Sequence, residues 1–74
     1  MADTSFLVLY DVYKLAVVNG YPLKKVQGVL SQMAMIYPGI RDCPSYYILM
    51  REEDASIDYD KEHKCMIDWL LNSL

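Results

Sequence analysis

The sequence predicts a mainly α fold, a compact domain of three or four helices, and three observations carry that expectation. Turn-forming residues at Gly20-Tyr21-Pro22, Pro38-Gly39 and Pro44-Ser45 cut the chain into pieces of helical length. Leu23, Val26, Leu30, Met33 and Tyr37 recur three and four residues apart, the period of one helix face. Apolar residues make up 54% of the 74 positions, enough to fill one core in a chain too short for two, so 1–74 reads as a single domain.

The first helix is expected over about Thr4 to Asn19, capped by Asp3 or Thr4 and stopped by Asn19-Gly20. Phe6, Tyr10, Tyr13 and Val17 form one apolar stripe, and Val8, Val12 and Leu15 form another. Only Asp11 and Lys14 supply a polar face, so this helix calls for burial on more than one side. The second helix starts at Pro22, a residue suited to the first helical position, and runs to about Tyr37, where Pro38-Gly39 ends it. Lys24, Lys25, Gln27, Gly28, Ser31 and Gln32 lie on its polar side.

After Pro44 two readings stand side by side. Tyr46-Tyr47-Ile48-Leu49-Met50 forms a short helix, or it forms a strand that turns through Glu52–Ala55 and pairs with Ser56–Tyr59 as a β-hairpin. The last helix is expected over about Asp58 to Asn72. Asp58 and Asp60 suit its N-terminal dipole, and Met66, Trp69 and Leu70 form its apolar face, with Ile67, Leu71 and Leu74 alongside.

Charge is unevenly distributed in a chain of net −3. Up to Arg41, four bases (Lys14, Lys24, Lys25, Arg41) outweigh Asp3 and Asp11; from Asp42 onward, eight acids outweigh three bases. A basic face is therefore confined to the first half, and the molecule as a whole is a poor non-specific binder of nucleic acid. Met1-Ala2-Asp3-Thr4 has no basic run ahead of the first apolar stretch. The run Phe6 to Val18 is interrupted by charges and too short to span a bilayer. The expectation is a cytoplasmic chain that engages no membrane, with Cys43 and Cys65 as free thiols and a Cys43–Cys65 bridge as the alternative.

Little in the composition suits catalysis. One His and two Cys fall short of the four ligands of a structural zinc site, and no phosphate-cradling loop is present. Asp58-x-Asp60-x-Glu62 begins like a calcium loop, but His63 stands where that loop needs Gly, and Trp69 stands at its closing Glu position. No metal, cofactor or small-molecule substrate is expected, and no residue is assigned a catalytic role.

The segment Leu15-Ala16-Val17-Val18-Asn19-Gly20-Tyr21-Pro22-Leu23-Lys24-Lys25-Val26-Gln27-Gly28-Val29-Leu30 resembles the helix-turn-helix pattern of bacterial and phage regulators. Ala16 lets two helices approach, Gly20 makes the turn, and Val26 and Val29 anchor the second helix. The resemblance implies a dimeric DNA-binding regulator whose Lys24, Lys25, Gln27, Ser31 and Gln32 face the major groove. Asn19 departs from the apolar residue usual at its place. The alternative reading is an ordinary antiparallel helix pair.

Seven Tyr and five Met exceed what so small a core can absorb with every hydroxyl satisfied, and both residue types are enriched at protein interfaces. The leading expectation is accordingly a small regulatory or inhibitory module, of the accessory kind that bacteria, plasmids and phages encode. It would bind another protein or itself, as a homodimer, with Tyr21, Tyr37, Tyr46, Tyr47 and Met50 as contact candidates. DNA binding is the alternative.

Overall fold

In the computed structural model, which describes residues 3–73, four α-helices and one 3₁₀ turn follow one another: α1 Thr4–Val18, α2 Leu23–Ile36, the 3₁₀ turn Pro38–Asp42, α3 Pro44–Leu49 and α4 Tyr59–Ser73. Residues 46–49 take the helical alternative, with Met50 as the cap, and the β-hairpin is not formed. Pro44 occupies the first helical position of α3, where its missing N–H costs nothing. Ser45, Tyr46 and Leu49 then face the core, a pattern that helical spacing delivers and strand alternation does not.

Local chemistry sets each boundary. Asp3 caps α1 by accepting the Ser5 N–H at 2.7 Å. At the other end Gly20 adopts φ +70°, and the N–H groups of Gly20 and Tyr21 reach back to the carbonyls of Val17 (3.2 Å) and Ala16 (2.9 Å). That pair of bonds is a Schellman closure, and it needs glycine at the left-handed position. Pro22 lies one place earlier than its expected role, as the cap residue of α2 rather than its first helical residue. Asp58 caps α4, its carboxylate accepting the Lys61 N–H at 3.2 Å.

The turn that joins α1 to α2 brings Phe6 and Tyr37 together at the far ends of the two helices, with ring centroids 5.6 Å apart. The two helices therefore lie antiparallel along their whole length. α3 packs against α4, and the 3₁₀ turn, anchored by buried Ile40, bridges α2 to α3. Trp69 stacks on Tyr37, so an aromatic column of Phe6, Tyr37 and Trp69 closes one end of the core. Phe6, Tyr10 and Tyr13 of α1, Val26, Leu30 and Met33 of α2, and Met66 and Leu70 of α4 meet in a single cluster. Leu23, Val17 and Ile67 are only half-buried, Leu71 is exposed, and Leu74 lies outside the described residues. Among the described residues, no helix is long and apolar enough to cross a membrane.

Candidate functional site: the outer face of α1

α1 buries one side only. Phe6, Tyr10, Tyr13 and Ala16 point inward, at the spacing that keeps side chains on one face of a helix. The second apolar stripe finds no cover among the described residues. Val8 is 57% exposed, Leu15 61% and Val18 81%, with Leu7 and Val12 also open to solvent. Scattered exposed apolar residues are ordinary, but five on one helix face form a patch on the order of 400 Å², within the range of about 300–600 Å² of a typical monomer's largest apolar patch, which often has a function.

Two charges sit within this patch, Asp11 and Lys14, and they are the only charged residues of α1. Lys14 lays its ammonium 5.2 Å from the centroid of the Tyr10 ring, a cation–π contact that holds the charge at the edge of the patch. The face is thus apolar, net neutral, and marked by one exposed acid and one base held over Tyr10.

Of the contact residues expected from the sequence, Tyr46, Tyr47 and Met50 lie together on α3 and its C-terminal cap, whereas Tyr21 lies in the turn after α1 and Tyr37 at the end of α2. Tyr21 and Tyr47 are exposed, Tyr37 and Met50 are half-buried, and Tyr46 is buried, with its ring edge-on to Tyr47. Tyr37 is occupied by its packing between Phe6 and Trp69. Val8, Val12 and Leu15 were legible in the sequence as a second stripe on a helix apolar almost all round, which is the signal that points to this face. Leu7 and Val18 complete it.

On α2, Lys24, Lys25, Ser31 and Gln32 are exposed, and Lys25 lies over the ring of Tyr21 at 5.7 Å. Gln27 is not free: its amide nitrogen donates to the carbonyls of Leu49 (3.0 Å) and Arg51 (2.6 Å), tying α2 to the end of α3. Beside this tie lies a shallow groove of about 550 Å³ that includes Leu23, Lys24, Met50, Arg51, Glu52 and Glu53 in its lining. Its opposed charges and open form present no convergent set of groups for a small molecule.

The buried polar groups are structural in their surroundings. The Tyr13 hydroxyl lies 3.0 Å from Nδ1 of His63, and both residues are buried. Burial pushes the Tyr13 hydroxyl well above its ordinary range, with the nearby Cys43 thiol and Tyr10 adding to the shift. The hydroxyl therefore stays protonated and donates to His63 when Nδ1 carries no proton. Burial also lowers the pKa of His63, partly offset by Asp60. The Tyr10 hydroxyl is buried without a hydrogen-bond partner among the described residues. Cys43 is buried, Cys65 is exposed, and both are free thiols. Comparison with protein-family models finds no match, and none is found among curated proteins or solved structures.

Proposed function

We propose that this chain is a small regulatory or inhibitory module that acts by surface contact with protein and not by catalysis, and that the outer face of α1 is its contact surface. One observation carries the reading: α1 builds the core with one side and leaves an uncovered apolar stripe along the other. Burying a Val or Leu side chain gains about 1.5–3 kcal/mol relative to leaving it in water, so a face with five of them gains substantially from being covered.

DNA reading through α2 has less support. The closed antiparallel hairpin of α1 and α2 is the geometry of an ordinary helix pair, whereas a helix-turn-helix splays its two helices at about 90–120°. Gln27, one of the five residues offered for base contact, is engaged with Leu49 and Arg51.

The test joins capture to the face. The double variant Val8→Glu, Leu15→Glu changes only exposed positions and is expected to keep its helical circular dichroism. It should lose capture of protein partners from an extract of the producing cells, and a photoreactive residue at Leu15 should cross-link where one at Ser31 does not. Capture that persists in the double variant overturns the reading. Binding of random duplex DNA at low salt, lost in the variant Lys24→Glu, Lys25→Glu, would favour the DNA reading instead.

A further inference from the structure

The exposed face of α1 also carries a reciprocal pattern of apolar and charged residues. Leu7, Asp11, Lys14 and Val18 are spaced four, three and four residues apart, so they form a single row along the helix, with Val8 and Leu15 beside it. Read in either direction the row has the same form: apolar, charged, charged, apolar. The two charges are opposite in sign.

We propose that this face docks a second copy of the chain, α1 against α1 in antiparallel orientation, with Asp11 of each copy facing Lys14 of the other. The proposal rests on the reading of this face as a protein-contact surface and names its occupant. About a twofold axis between Asp11 and Lys14, Leu7 meets Val18 of the second copy and Val18 meets its Leu7, so one register satisfies both apolar pairs and both charge pairs. Twofold self-pairing requires this reciprocity, in which residue i meets j and j meets i.

Parallel pairing in register would set Asp11 on Asp11 and Lys14 on Lys14, and is disfavoured by like charge. The chain's net charge of −3 does not oppose docking here, because α1 itself carries one acid and one base. Charged residues in an apolar helix seam contribute little affinity but select register and orientation. Affinity comes from Leu7, Val8, Leu15 and Val18, all exposed in the single chain. A patch of this size on each copy gives an interface below about 1,200 Å², the class of weak, exchanging associations. The dimer is therefore reversible and dependent on concentration.

Sedimentation velocity from low-micromolar to near-millimolar concentration tests this on the full chain. Wild type should pass from monomer to dimer. Asp11→Lys alone places Lys on Lys across the axis, and Lys14→Asp alone places Asp on Asp; each should weaken self-association by about tenfold or more. Mixed in equal amounts, these two variants face each other with complementary charges and should form a heterodimer of near wild-type affinity.

Leu7→Lys and Val18→Glu provide a second complementary pair, again weak alone and restored on mixing, should loss of the Lys14–Tyr10 contact unfold a Lys14 variant. A wild-type chain that stays monomeric throughout overturns the proposal. So do single variants that associate like wild type, or mixtures that restore nothing. A monomer that still captures another protein through Leu15 would leave the contact-surface reading standing while removing the second copy as occupant. A monomer whose capture ignores Leu15 removes both.

Discussion

At the scale of single residues, the buried pair Tyr13–His63 makes stability depend on pH. Its two partners lie on α1 and α4, fifty residues apart, so nothing local in the sequence announces the contact. Burial lowers the His63 pKa from its ordinary value of 6.5, so the unfolded chain takes up a proton before the folded chain does. The stabilising effect of a neutral His63 is complete above about pH 6.5 and is lost as pH falls through the lowered folded value, with a slope of at most about 1.4 kcal/mol per pH unit. Urea unfolding between pH 7.5 and 5, above the main carboxylate range, should show this loss. His63→Gln keeps an acceptor for Tyr13 and removes the titration, and it should flatten the dependence.

At the scale of elements, two glycines of similar appearance in the sequence act oppositely. Gly20 closes α1 at φ +70°, a conformation that L side chains rarely adopt. Gly20→Ala should cost about 1–2 kcal/mol. Gly28 sits within α2, exposed, and a methyl group there would meet nothing within 4 Å. Gly28→Ala should therefore stabilise by about 0.5–1 kcal/mol through helix propensity alone. Thermal or urea unfolding of the two variants should move in opposite directions.

At the scale of the whole molecule, the Cα radius of gyration of 11.3 Å equals that of a compact chain of this length, about 11 Å. The outer face of α1 is thus open although the rest of the chain is tightly packed. The two helix pairs are tied by Gln27, whose amide reaches the carbonyls at the end of α3. Gln27→Leu leaves those carbonyls, one exposed and one half-buried, to be satisfied by water and should cost about 0.5–1.5 kcal/mol. Hydrogen exchange should then rise in residues 50–53 with little change in α1, whereas exchange that rises everywhere equally would show that the tie is not local.

By itself the sequence determined the helices and most of their ends, because capping, proline geometry and three-to-four spacing act over a few residues. Asp3, Gly20, Pro38, Pro44 and Asp58 mark boundaries through bonds or constraints within their own turns. The surplus of apolar residues on α1 was legible in the same way, as a helix with two greasy stripes. Which stripe faces the core was not, since Phe6-Tyr10-Tyr13 and Val8-Val12-Leu15 have equally helical spacing. Only the tertiary structure decided this. The larger aromatic side chains fill the space between α2 and α4, where Phe6 meets Tyr37 and Tyr13 meets His63, and the shorter Val and Leu side chains are left outward. The same packing chose helix over hairpin after Pro44 and turned Gln27 from a residue free on the polar side of α2 into a tie between helices.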